Sequence, residues 1–142
     1  MTTSPDPQPI AERQLCGLVN GLAQRITDHV RVRAATLGLT AAQATALREM
    51  TGPMTMRELA ERMTCEPSNT TFVIDKLEKQ GLVERHPHPT DRRAKHLVLT
   101  AEGAALRTRL LELLVVDSPL SGLTDQEKQV LHQLLEQAVT VR

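Results

Sequence analysis

Aromatic residues are almost missing from this 142-residue chain, which has one Phe and neither Tyr nor Trp. A core without rings must be filled by Leu, Val, Ile, Met and Ala, and that suits helix-on-helix packing better than a β-sandwich. Cysteine is scarce too. Cys16 and Cys65 are the only two, too few for a disulfide framework and without metal-ligand spacing. No apolar run approaches the roughly 20 residues needed to span a bilayer. The opening MTTSPDPQPIAE has neither a basic n-region nor an apolar h-region, so no signal peptide is expected. A soluble, cytoplasmic protein with no membrane attachment is the expectation. A glycine-rich phosphate loop, a zinc-protease motif and a nucleophile elbow are all absent, so no catalytic residues, no cofactor and no enzyme are expected.

Charge of one sign is not in excess overall: Lys and Arg total 17, as do Asp and Glu. The distribution is uneven. Arg85, Arg92, Arg93 and Lys95 against Asp91 give residues 85–96 a net +3. Asp117, Asp125, Glu127 and Glu136 against Lys128 give residues 117–136 a net −3. A locally basic element on a neutral protein can still bind phosphate, because attraction follows the local field.

The length suits one domain with its own core. Residues 1–8 are polar with alternating prolines and are expected to form a flexible arm. From Pro9 to about Ala35, the residues Leu15, Leu18, Val19, Leu22, Ile26 and Val30 recur at helical spacing. Three later helices carry a start signal, a Thr with Glu or Gln three residues on: Thr40 with Gln43, Thr55 with Glu58, and Thr124 with Glu127. Pro67 starts another. Thr100 can cap a helix to about Val116, which DSPLSG then breaks. The expected order is α-α-α-α-β-β-α-α, mainly α with a small β-wing.

Residues 55–100 are the most informative stretch. TMRELAERM (55–63) and PSNTTFVIDKLEKQG (67–81) read as two helices, and LVERHPHPTDRRAKHLVLT (82–100) as a β-hairpin with a basic tip. A helix-turn-helix followed by a charged wing can set one helix in a DNA major groove with a cationic loop beside it. On a wheel, Thr70, Val73, Ile74 and Leu77 form the core side of the second helix. Ser68, Thr71, Phe72, Asp75, Lys76 and Lys79 fall opposite, with Asn69 at the boundary. Asn can pair bidentately with adenine, and Ser or Thr can serve bases or phosphates. Phe72 either folds back on a neighbouring element or meets a thymine methyl, and the pattern leaves both open. In the wing, Asp91 can pair with Arg93 and fix its guanidinium while Arg92 stays free for a minor groove. A solvated charge run is the plainer reading of the same arginines.

These residues are where the chain resembles the MarR family of winged helix-turn-helix regulators. The matching strings are MRELAERM, PSNTTFVIDKLEKQGLVER and DRRAKHLVLTAEG, and Asp91, Arg93, Leu99, Thr100 and Gly103 match its wing signature. The resemblance implies one domain over 9–142, with a winged helix-turn-helix at about 40–100 and dimerisation helices at about 9–37 and 101–141. It implies a homodimer on palindromic double-stranded DNA, acting as a repressor relieved by a small-molecule effector or by oxidation. Carried over, Ser68, Asn69, Thr71 and Phe72 face bases, and Lys76, Arg92, Arg93 and Lys95 complete the DNA-binding set, with Asp91 as wing support. Cys16 sits where the hydroperoxide-sensing branch places its reactive thiol, which makes it a candidate redox residue, although a packed structural thiol is the simpler reading. A His-x-His pair, His86 and His88, could bind metal, but a solvated pair is simpler and no metal site is expected. A winged helix that binds protein instead of DNA is the rival reading, separable by salt-dependent DNA affinity.

Overall fold

Capping groups set several of the helix ends in the computed structural model, which describes residues 7–64 and 67–140. The elements are α1 (Pro7–Ala35), α2 (Ala41–Glu49), α3 (Met56–Met63), α4 (Pro67–Lys79), β1 (Val83–Pro87), β2 (Lys95–Leu99), α5 (Ala101–Val115) and α6 (Asp125–Thr140). Their order is the one the sequence predicts. Most of the arm expected over residues 1–8 lies outside the described residues, but Pro7 and Gln8 already belong to α1. A proline in the first turn lacks only an N–H that has no intrahelical partner there anyway.

Gln43 and Thr40 form a full capping box: the Gln43 N–H donates to Thr40 Oγ1 at 3.1 Å, and the Thr40 N–H to Gln43 Oε1 at 2.9 Å. Thr124 and Glu127 repeat it at 3.1 and 2.9 Å. Thr55 is different. Its oxygen accepts the Glu58 N–H at 3.1 Å, but the Glu58 carboxylate takes the Thr55 hydroxyl at 3.2 Å and not its backbone N–H. Helices α1 and α4 both end in a left-handed glycine, Gly38 (φ 73°) and Gly81 (φ 76°). After α4 the Gly81 N–H donates to Glu78 O (3.0 Å) and the Leu82 N–H to Leu77 O (3.0 Å). Two otherwise orphaned carbonyls are thereby satisfied as the chain turns into β1.

Two compact units divide the chain, the first comprising 1–26 and 115–142, the second 27–114. In the second, α2, α3 and α4 pack on one another, α4 against β1 and α3 against β2. Leu47, Leu59, Ile74, Leu77, Leu97 and Leu110 are fully buried there. Strands β1 and β2 pair antiparallel, from Val83 opposite Leu99 to Pro87 opposite Lys95. A further bridge joins Met54 to Leu97 through two backbone hydrogen bonds, 3.3 and 2.7 Å, and ties the entry of α3 to the hairpin. Side-chain N–H donors close helix ends: Arg107 donates to Leu47 O (2.8 Å) and Arg48 O (2.9 Å) at the end of α2. At the end of α5, Arg33 donates to Leu113 O (3.2 Å) and His29 Nε2 to Leu114 O (2.8 Å). Both placements suit the partial negative charge of a helix C-terminus.

The first unit looks unlike a finished core. Helix α6 has no buried residue. Leu18 is 71% exposed and Leu134 56%, and Leu15, Val19, Val130 and Val139 are exposed beside them. No helix among the described residues is long and apolar enough to cross a membrane.

Candidate nucleic-acid interface

Helix α4 buries the stripe expected of it. Thr70, Ile74 and Leu77 are fully inaccessible and Val73 nearly so, because residues three and four apart stack on one helix face. The opposite face is open: Asn69, Thr71, Phe72, Lys76 and Lys79 are all exposed. Ser68 stands in the first turn of the same helix, but its side chain is not among the described ones. Cys65, just before α4, lies outside the described residues.

Phe72 is placed at the surface. It is 61% exposed and does not fold into the core. The Lys76 ammonium sits over its ring, 4.8 Å from the centroid. A cation over an aromatic face one helical turn away is held by the ring quadrupole, so the two residues present a joint apolar and cationic surface. Periodicity put both on one side but did not show this pairing.

The wing carries its charge selectively. Arg92, Arg93 and Lys95 are exposed, and Arg92 makes no hydrogen bond or ion pair among the described residues. Asp91 does not pair with the Arg93 guanidinium as expected. Its carboxylate accepts the Arg93 backbone N–H at 2.9 Å, the local bond that an Asp in a turn makes with the chain two residues on. Both guanidinium groups therefore stay free of Asp91. Arg85, counted with the wing charge by position, is turned inward: it pairs with Asp75 of α4, and Glu78 lies 3.9 Å from its Nε. Its charge is matched, and the available basic character narrows to Arg92, Arg93 and Lys95. The reason is the strand alternation, which puts Arg85 on the same face as buried Val83.

Two histidines of the hairpin make local polar contacts. His88 caps the wing turn through Nδ1, which accepts from Thr90 N (3.2 Å) and Asp91 N (3.0 Å). His86 Nε2 lies 3.6 Å from Glu84. Among the described residues no group of three or more His, Cys, Asp or Glu is placed to hold a metal. Cys16 is a free, exposed thiol on α1.

The L-T-x-x-G string after β2 also has a structural meaning. The Thr100 hydroxyl donates to Gly81 O (2.7 Å) and accepts the Gly103 N–H (3.0 Å). The Thr100 N–H donates to Leu82 O (3.0 Å). A Cβ on Gly103 would stand 2.0 Å from that same Leu82 oxygen. Only glycine lets the first turn of α5 lie against the link between α4 and β1.

Comparison with known proteins agrees with this arrangement. The MarR family model matches residues 39–95, from the start of α2 to the wing. The uncharacterized HTH-type transcriptional regulator YkoM of Bacillus subtilis (strain 168) is 32% identical over 61% of this chain and 58% of its own length. The HTH-type transcriptional repressor MdtR of the same organism is 34% identical over 60% of this chain and 56% of its own. The chain thus spans little more than half the length of these curated relatives. A mutant MarR from E. coli, crystallised in complex with operator DNA, superposes with a TM-score of 0.71 at 28% identity, covering 88% of this chain and 93% of that one. The MarR family model thus falls on the elements that form the winged helix-turn-helix, and the chain shares that architecture with the E. coli MarR structure.

Proposed function

We propose that this chain is a sequence-specific, DNA-binding transcriptional regulator that binds a palindromic operator as a homodimer and acts as a repressor answering a small-molecule effector. The observation that carries the reading is the open N-terminal face of α4, with Asn69, Thr71 and Phe72 exposed, in one compact unit with a wing whose Arg92, Arg93 and Lys95 are unburied. Ser68, Asn69, Thr71 and Phe72 read base edges in the major groove. Lys76, Arg92, Arg93 and Lys95 meet phosphates or the minor groove, and Asp91 supports the wing. Relatives of this chain are a repressor and a regulator seen with operator DNA. In this reading the protein is not an enzyme, since recognition and release of DNA need no bond to be made or broken.

The partner surface follows from the first unit. Exposed Leu15, Leu18 and Val19 on α1, and Val130, Leu134 and Leu135 on α6, are apolar stripes that a second copy would cover. A dimer of this kind presents two α4 helices to half-sites about one helical turn apart, on the order of 34–36 Å.

The test is a titration of the purified chain against the intergenic DNA beside its own gene, at two salt concentrations, with random duplex as competitor. Saturable binding as a dimer is expected, with preference over the competitor and a log–log salt slope of about 0.9 per phosphate contact. Salt-insensitive binding, or no preference for any upstream duplex, would favour a protein-binding winged helix instead.

A further inference from the structure

We propose that the neutral imidazole of His88 is a positioning residue for DNA binding, holding the wing turn that carries Arg92 and Arg93, and that its protonation releases that turn. The inference rests on the reading of the wing as a DNA contact.

The geometry is specific. The backbone N–H groups of Thr90 and Asp91 both end on His88 Nδ1, at 3.2 and 3.0 Å, and the Thr90 hydroxyl lies 3.4 Å from the same nitrogen. A backbone N–H can only donate, so Nδ1 must be the unprotonated nitrogen and Nε2 must carry the hydrogen. The imidazole thus does the work of an Asn or Asp side chain in an Asx turn. The ring is seated against His96 of β2, with centroids 4.4 Å apart and planes tilted by 59°. From this anchor the turn continues through the Arg93 N–H to Asp91 Oδ1 (2.9 Å) and the Ala94 N–H to Asp91 O (3.2 Å). It closes through the His88 N–H to Ala94 O at 3.4 Å. Arg92 and Arg93 therefore ride on a loop with two of its amides pinned to one ring nitrogen.

A proton on Nδ1 would face two other N–H groups, and both bonds would be lost. The surrounding charges do not offset this. Lys95 and His96 on β2 and Arg92 and Arg93 in the turn are basic, and Asp91 is engaged by the Arg93 N–H. Glu84, farther down β1, stands beside His86. The turn is accordingly held while the imidazole is neutral and is loosened when Nδ1 takes up a proton. Positive charge gained by other groups as pH falls pushes DNA affinity the other way, so a single pH titration would mix two effects.

The experiment separates them with His88→Asn, whose side-chain oxygen can take the same two N–H groups and does not titrate. Affinity for a labelled upstream duplex of about 30 base pairs is measured for the full chain and the variant at a pH above and a pH below the imidazole range. The wild type is expected to lose affinity about tenfold more than H88N across that interval, the charge gained by other groups being common to both. Two proteins that track each other would overturn the inference. A second readout needs no DNA: the imidazole and amide nitrogen spectra of the free chain. The Nε2–H tautomer of His88 at neutral pH, with Thr90 and Asp91 amides that move as His88 titrates, is the expected result. An Nδ1–H tautomer or unmoved amides would overturn it. Amides that follow His88 in a chain that binds no duplex support the turn mechanism and overturn the DNA reading instead.

Discussion

Replacing Gly103 by Ala should damage the joint where α4, β1 and α5 meet. The added Cβ would lie 2.0 Å from Leu82 O, 3.0 Å from its carbonyl carbon and 3.3 Å from its Cα. All three atoms are backbone, so no side chain can swing away. Restoring an ordinary contact means separating the two segments by more than about 1 Å. That movement also pulls on Thr100, whose N–H and hydroxyl reach Leu82 O and Gly81 O at 3.0 and 2.7 Å. Overpacking costs about 1–3 kcal/mol, and weakening the Thr100 cap and its bond to Gly81 adds about 1–2 kcal/mol. The better helix propensity of Ala returns about 1 kcal/mol. The expected net loss is about 1–4 kcal/mol. Urea unfolding at fixed chain concentration measures it, because a dimer ties apparent stability to concentration. Thr100→Val, which removes the hydroxyl bonds without the clash, should cost about 1–2 kcal/mol. The pair should be non-additive, since both act on one contact. A Gly103→Ala midpoint at or above that of the wild type would show that helix propensity governs this position and that the close approach to Leu82 is not maintained in solution.

The two classes of wing arginine should separate by salt dependence. Arg92→Ala with Arg93→Ala should weaken binding to any duplex and flatten the log–log salt slope by up to about 1.8 units per subunit. Arg85→Ala should leave that slope unchanged, and equal slopes for R85A and the double variant would refute the assignment of Arg85 to Asp75 and Glu78. Phe72→Ala should leave stability within about 0.5 kcal/mol, since the ring is mostly solvent-exposed. It should alter discrimination at one operator position by about 1–3 kcal/mol, read from a panel of single-base operator variants; a large drop in melting temperature would count against the exposed placement. Leu18→Glu should convert a dimer to monomers in sedimentation while the far-ultraviolet helix signal of the winged unit persists, and a dimer of unchanged affinity would place the interface elsewhere.

Local signals were legible in the sequence because they act over three or four residues. Thr40, Thr55 and Thr124 begin helices since each hydroxyl needs only the N–H three positions on. The burial of Thr70, Val73, Ile74 and Leu77 follows from helical periodicity alone, and so does the exposure of the facing residues. Tertiary structure decided what depends on residues brought together from distant positions. Which arginine of the hairpin is available is set by Asp75 and Glu78 on another element, and one residue of strand phase turns Arg85 inward. Asp91 was legible as a partner for Arg93, but not that it would take the backbone N–H of that residue in place of the guanidinium. The string L-T-x-x-G could be recognised without its reason, which is the approach of α5 to the Leu82 carbonyl. The bridge from Met54 to Leu97 had no sequence signal at all, since a single pair of backbone hydrogen bonds imposes no side-chain pattern. Element order, helix ends and the open face of α4 thus come from the chain's own local chemistry. Which of the hairpin's charges stay free comes from packing, because the partner of Arg85 depends on the path of the backbone between two elements.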